Sequence, residues 1–194
     1  MDLATHIRML LERGLDRTPA ATTGPRSCQS AAVLVPVVVD GSEPELLLTR
    51  RTQDVETHKG QVSFPGGLCD QQDAGPADTA LREAQEELGI PPDYVEVMGF
   101  LPEVWTPTGF CIIPVVGVLR TVPPLVPSVQ EVAEVFRVPL KFFAQPGRME
   151  QRIVAGSLRE VWFYDFEEKV IWGATALMIR MLLEKIGPPT ALRP

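Results

Sequence analysis

Three glutamates, Glu83, Glu86 and Glu87, stand at i, i+3 and i+4, so one turn of helix would bring their carboxylates together. Like charges at that spacing repel at a cost of roughly a few tenths of a kcal/mol per pair, and a partner of opposite charge relieves it. A hard divalent cation is the natural partner, because Mg2+ is held by a small number of carboxylates together with phosphate oxygens and water. Arg82 could orient one of the carboxylates through a bidentate contact. Taken alone, the triad reads equally well as a solvated acidic helix face. Its neighbours favour the cation. Gly66 and Gly67 precede it by a short loop, where the missing Cβ lets backbone approach a ligand, and Asp70 and Asp73 add two carboxylates. A carbonyl of that glycine turn, such as that of Gly67, could complete an oxygen shell built mainly from the helix.

The elements that must carry these groups follow from periodicity and punctuation. Ala80, Leu81, Ala84 and Leu88 share one helical face, while Arg82 and the glutamates occupy others. Asp73 is a candidate N-cap, Pro76 suits a first turn, and Gly89 stands where a helix ends, with Pro91 and Pro92 forbidding continuation. Upstream, residues 31–39 are an almost unbroken run of Ala and Val, which predicts a buried strand in which Pro36 marks a bulge or an edge. Residues 40–44 are turn chemistry and residues 45–51 a second strand, making a hairpin. Residues 61–64 form a short strand ending at the turn Pro65-Gly66-Gly67. Downstream, strands are predicted over 94–102, 111–119 and 161–166, with a loop at 106–109 and a proline-rich connector at 121–127. Residues 171–186 predict a long helix whose apolar side chains nearly encircle it, and that pattern puts Trp172 in the core. Residues 1–16 read as an amphipathic helix, joined by a Thr/Pro/Gly/Ser-rich link to the rest. One domain of strands and helices over 31–187 follows, preceded by the helix and linker of 1–30 and followed by a tail, 188–194.

The 194 residues are 45% hydrophobic and 22% charged, the balance of a globular protein with a real core. Net charge is −7, which argues against a general nucleic-acid binder, since that requires a surplus of Lys and Arg. No apolar run approaches the roughly 20 residues that span a bilayer, and the first residues lack the continuous apolar centre of a secretory signal. Asp2, Glu12 and Asp16 argue against a mitochondrial transit peptide. Cys28, Cys69 and Cys111 share no metal-ligand spacing, and the expectation is three reduced thiols in a cytoplasmic protein. Cys69 has no neighbouring cation to activate it, and Ser63 lacks a nucleophile-elbow context.

Gly67, five residues, Asp73, eight residues, and then Arg82-Glu83-Ala84-Gln85-Glu86-Glu87-Leu88-Gly89-Ile90 resemble the Nudix box, the signature of hydrolases of nucleoside diphosphates linked to a further moiety. Asp73 stands where that family usually has Glu, and one extra residue separates it from Arg82. Both departures are similar to those of the branch that hydrolyses coenzyme A. That branch also carries an upstream motif, matched by Leu47-Leu48-Thr49-Arg50-Arg51 and Gly60-Gln61-Val62-Ser63-Phe64-Pro65-Gly66-Gly67. Likeness continues through residues 99–117 and Trp172-Gly173-Ala174-Thr175-Ala176, so it covers roughly residues 31–186. One difference is Glu56, where several relatives carry an arginine.

The resemblance implies an α+β Nudix fold, a mixed β-sheet sandwiched between helices. It implies metal-dependent hydrolysis of the diphosphate bond of coenzyme A or its thioesters, giving adenosine 3′,5′-bisphosphate and 4′-phosphopantetheine or its acyl form. Mg2+ or Mn2+ would be held by Glu83, Glu86, Glu87 and Gly67. Glu83 and Arg82 join the catalytic set, and the base is expected in the acidic stretch 130–136, with Glu131 first and Glu134 in reserve. Arg50, Arg51, His58 and Lys59 are the candidates for substrate contact, and Trp105, Phe110 and Trp172 are aromatic candidates for lining the pantetheine or adenine site, with the core favoured for Trp172. Two alternatives stay open: a pyrophosphatase for ADP-ribose or a dinucleotide, and a nucleotide-binding module of the same fold without chemistry. The expected partner is a small nucleotide-type molecule, with no nucleic acid and no membrane. Exposed strands and the apolar N-terminal helix leave a homodimer open.

Overall fold

Strands that are apolar at every position must be covered on both faces, and this chain does so with helices on either side of one sheet. The computed structural model describes residues 2–19, 28–53, 60–153 and 160–187. In chain order the elements are α1 (Leu3–Gly14), β1 (Gln29–Val38), β2 (Glu45–Arg51), β3 (Val62–Ser63), β4 (Gly66–Leu68), α2 (Pro76–Leu88), β5 (Glu96–Phe100), β6 (Val104–Trp105), β7 (Phe110–Leu119), β8 (Val132–Pro139), α3 (Leu140–Phe143), β9 (Met149–Ile153), β10 (Glu160–Phe166), β11 (Lys169–Trp172) and α4 (Gly173–Ile186). The main sheet runs β3-β2-β1-β7-β5, with β4 on β1, β6 on β7 and β8 on β2. It is mixed: β1 and β7 are parallel from Gln29↔Phe110 to Val38↔Leu119, and the other pairs are antiparallel. A second, antiparallel sheet is ordered β11-β10-β9.

Side-chain alternation assigns each face. Ala32, Leu34 and Val38 of β1, Leu47 of β2 and Val115 and Leu119 of β7 pack with Ala80, Ala84 and Leu88 of α2. Val35, Val37, Leu46, Leu48, Val116 and Val118 pack with Ile7 and Leu11 of α1 and Met178, Ile179 and Leu182 of α4. This is the expected mixed sheet between helices. Among the described residues no helix is long and apolar enough to cross a membrane.

Several local expectations change. Pro36 is neither at a bulge nor on an edge strand. It falls between the β1 residues paired with β4 and those paired with β2, so its missing N–H removes no ladder bond. The glycines expected as a turn form β4, antiparallel to β1 with Ala32↔Gly67 and Val33↔Gly66. A Cβ on Gly66 would stand 2.4 Å from the carbonyl oxygen of Ala32, so only glycine permits that approach. The last long helix begins at Gly173, and Trp172 ends strand β11 with its ring half-buried instead of lying in the core. Cys28 and Cys111 form a disulfide with Cα atoms 5.7 Å apart, which corrects the expectation of three thiols; only Cys69 is free and exposed. The parallel register of β1 and β7 brings that pair together.

Candidate active site

Arg82, on α2, ties the helix to the loop before it. Its Nε and Nη2 donate to Asp73 Oδ1 and Oδ2, both at 3.1 Å, in a fork-to-fork pair, and Nη2 also donates to the Leu68 carbonyl at 3.0 Å. Its Nη1 donates to Glu83 Oε1 at 2.8 Å and to Glu86 Oε2 at 3.2 Å. Asp73 is therefore not the N-cap, a position held by Gly75. Its carboxylate accepts from Arg82, from the Asp70 backbone amide at 2.9 Å and from Thr79 Oγ1 at 2.8 Å. The guanidinium, then that amide, then the hydroxyl hold the Asp73 carboxyl well below the usual range. Asp73 in turn raises Arg82 above its ordinary value, with Glu83 contributing.

Two carboxyls of α2 turn inward against β4. A Cβ on Gly67 would stand 2.5 Å from the carboxylate carbon of Glu83, so glycine there makes the cradle in which that carboxylate lies. Burial pushes the Glu83 carboxyl up, with Arg82 opposing and the charges of Glu86 and Glu131 adding. Glu87 is 3% exposed. Burial pushes its carboxyl up to about 8, partly offset by Arg51 and by a hydrogen bond from the Gly66 backbone, while Glu131 and Glu83 push it further. Arg51 Nη1 stands 3.8 Å from Glu87 Oε1, and Arg51 Nε is buried without a hydrogen-bond partner.

Glu131 reaches this cluster because its loop closes the end of α2. The amides of Ser128 and Val126 donate to the Glu87 and Leu88 carbonyls at 2.8 and 2.9 Å, satisfying groups that a helix end leaves open. Gly89, at φ 72°, turns the chain away there. Thr52 then fixes the far side of the loop, its amide donating to the Glu131 carbonyl and its hydroxyl to the Gln130 carbonyl.

The structure thus brings Glu83, Glu86, Glu87, Glu131, Arg82, Arg51 and Gly67 to one face of the molecule. Glu134 and Arg50 lie elsewhere. A register shift between Arg50 and Arg51 separates them, and Arg50 Nε donates to Glu134 Oε2 at 3.1 Å. His58 and Lys59, with Glu56, fall outside the described residues. Trp105 is 51% exposed and donates to Glu103, whereas Phe110 opens β7. The Asp73 pairing escaped the sequence because it depends on the loop's path; the only signal was its offset from the family position.

Among the described residues, no three carboxylate, imidazole or thiol side chains converge on a common point as a ready cation site. Arg82 draws Glu83 and Glu86 to itself, and Glu86 stays 59% exposed. The donor set nevertheless suits a hard cation. It is all oxygen, it includes a buried carboxyl whose nearest cation among the described residues is 3.8 Å away, and it sits against a glycine cradle.

The NUDIX domain family model matches residues 29–152. A Nudix hydrolase called NudL from Cronobacter sakazakii (strain ATCC BAA-894), described as uncharacterized, is 42% identical over 185 residues, covering 92% of this chain and 96% of its own. The NudL of Salmonella paratyphi B (strain ATCC BAA-1250 / SPB7), described likewise, is 43% identical over 186 residues, covering 93% and 96%. Among solved structures, the chain is similar to a MutT/nudix family protein from Enterococcus faecalis, with a TM-score of 0.56, 15% identity, and 89% of this chain and 69% of that one covered. A C. elegans Ap4A hydrolase in a binary complex matches with a TM-score of 0.50 and 18% identity, covering 57% and 80%. At such identities the likeness to these structures is one of fold.

Proposed function

The chain belongs to the Nudix family of hydrolases, and from that premise we propose that it hydrolyses the diphosphate bond of coenzyme A or its thioesters. The products are adenosine 3′,5′-bisphosphate and 4′-phosphopantetheine or its acyl form. The observation that carries this narrower reading is the Asp73–Arg82 fork. Relative to the usual family pattern, Asp73 is one methylene shorter and its loop one residue longer. The longer loop offsets the shorter side chain, so both oxygens still meet the guanidinium. The two departures are therefore one paired change, and the sequence resemblance ties that change to the branch acting on coenzyme A.

Glu83, Glu86, Glu87 and the Gly67 carbonyl would hold Mg2+ or Mn2+. When bound, such a cation neutralises diphosphate oxygens and favours ionisation of the attacking water. The chain's own residues do the rest. Arg82 fixes the orientation of Glu83 and Glu86 while anchored on Asp73, so its role is positioning. Arg51 presents a guanidinium beside Glu87, and its exposed part can donate to a phosphate oxygen. Glu131 accepts the proton of the attacking water. The water oxygen bonds to phosphorus, the bridging P–O bond breaks, and its electron pair leaves with the other phosphate.

The test is incubation with coenzyme A, acetyl-coenzyme A, ADP-ribose and a dinucleoside polyphosphate in Mg2+, with products identified by mass. Release of 4′-phosphopantetheine and adenosine 3′,5′-bisphosphate is expected. Turnover of ADP-ribose or the dinucleotide with coenzyme A untouched would replace the substrate assignment, and turnover of none would favour a binding module.

A further inference from the structure

Residues of β2 alternate between the two faces of the sheet, and Arg50 points away from the cluster on α2. Leu47 packs with α2, as does Arg51 through Glu87, whereas Leu46 and Leu48 pack with α1 and α4. Arg50 continues the second set. There it lines a cleft of about 520 Å3 whose wall includes Gln61, Val62, Glu134, Lys169 and Trp172.

Two cations in that cleft share one carboxylate. Arg50 Nε lies 3.1 Å from Glu134 Oε2, and Lys169 Nζ lies 3.0 Å from Glu134 Oε1. Lys169 is held from behind, its Nζ 4.9 Å from the centre of the Phe136 ring. Its side chain is only 16% exposed. Trp172 stacks on Phe163 at 5.9 Å with the planes 8° apart, so its indole is a rigid wall. Glu168 also lines the cleft, but it is exposed, where solvent screens it.

Resting on the reading above, we propose that this cleft is the subsite for the 3′-phosphoadenosine end of the substrate, with Arg50 and Lys169 taking the 3′-phosphate and Trp172 contacting the adenine. The two ends of coenzyme A differ in the chemistry they present to such a cleft. The nucleoside end carries a phosphomonoester, close to doubly charged at neutral pH, and an aromatic base. The pantetheine arm is uncharged, made of amides, a hydroxyl and a thiol or thioester, and offers the two cations only neutral acceptors. A phosphomonoester competes with the singly charged Glu134 for both donors, while a nucleotide with a free 3′-hydroxyl leaves the Glu134 pairs intact and gains nothing. Arg50 and Arg51 both stand at the end of β2, so a 3′-phosphate beside Arg50 and a diphosphate beside Arg51 fall at the same end of the strand. Glu134 then sets specificity and takes no proton in the reaction.

The test compares binding of adenosine 3′,5′-bisphosphate and adenosine 5′-monophosphate by calorimetry, and kcat/KM for coenzyme A and 3′-dephospho-coenzyme A, in the wild type, K169Q and E134Q. The wild type should bind the bisphosphate about tenfold or more tightly over the monophosphate, as one charge-assisted contact supplies. K169Q should remove most of that preference, leave monophosphate binding within about twofold, and lower kcat/KM for coenzyme A through KM. E134Q should strengthen bisphosphate binding, an effect opposite in sign to any loss of structure, so it decides the matter should K169Q fold poorly. Equal wild-type affinity for the two nucleotides would overturn the proposal, as would bisphosphate affinity unchanged in E134Q or a K169Q loss shared equally by both. Binding needs no turnover: a bisphosphate preference lost in K169Q without hydrolysis of coenzyme A refutes the proposed reaction while the subsite stands.

Discussion

Replacing Glu87 by Gln should make the cation-free protein more stable at alkaline pH and leave it unchanged in acid. The wild-type carboxyl is 3% exposed and is pushed up to about 8 by burial and by Glu131 and Glu83. In the unfolded chain it ionises near its ordinary value of 4.5. Between those limits the folded state keeps a proton that the unfolded state has released. Stability therefore falls as pH rises through that window, and below it the group contributes nothing. The full difference corresponds to a ceiling of about 5 kcal/mol, and relaxation of the site leaves about 3 kcal/mol, or roughly 6–12 °C for a chain of this size. Gln is neutral throughout, so E87Q should lack this slope. The assay is thermal denaturation in chelator from pH 5 to 8.5, read as the wild-type minus variant difference, in which titrations common to both cancel. The difference should be smallest at pH 5, near the foot of the window, and favour E87Q most at pH 8. Adding Mg2+ at pH 8 should restore the wild type and leave E87Q unmoved. Parallel curves would refute the argument that a buried, cation-seeking carboxyl lies at this position.

In G67A, the new Cβ 2.5 Å from the Glu83 carboxylate carbon forces that group or β4 to shift; turnover should fall about a hundredfold with the circular dichroism spectrum retained. D73A leaves Arg82 without its fork, and kcat/KM should fall at least about tenfold; because Asp73 is depressed, any stability it provides lies above its unfolded value and is lost as pH falls, so the D73A difference should shrink in acid titrations. Reduction of the disulfide, or C28S, opens a link between cysteines 83 residues apart and should cost about 2–4 kcal/mol by denaturant titration; the unreduced, unfolded protein should present one reactive thiol, Cys69, and three would refute the link.

The sheet and the acidic helix were readable from the chain because their signals are local. The apolar run around Leu34 is what a strand covered on both faces requires. Gly89 does end α2 in the left-handed region. Contacts that depend on distant register were not readable. Cys28 meets Cys111 only because β1 and β7 run parallel in one register. Gly66 and Gly67 carry weak strand propensity, yet the demand for close approach to β1 outweighs it. Strand β11 is four residues long and runs straight into α4, so its apolar residues read as the first turn of a helix and misplaced Trp172. Glu131 was found through family likeness, since nothing local says that its loop closes α2. Glu134, three residues on, looks equivalent in sequence and is separated from it by the register shift beside Arg50.

The claim on which the account rests is that the carboxylates of α2 perform the cleavage. Its most direct test is the rate of adenosine 3′,5′-bisphosphate formation from coenzyme A in Mg2+ by the wild type and by the E86Q/E87Q double variant. Loss of at least about a thousandfold in kcat, in a variant whose folded spectrum and melting are intact, is predicted. A folded double variant that forms the same product at the wild-type rate would contradict it.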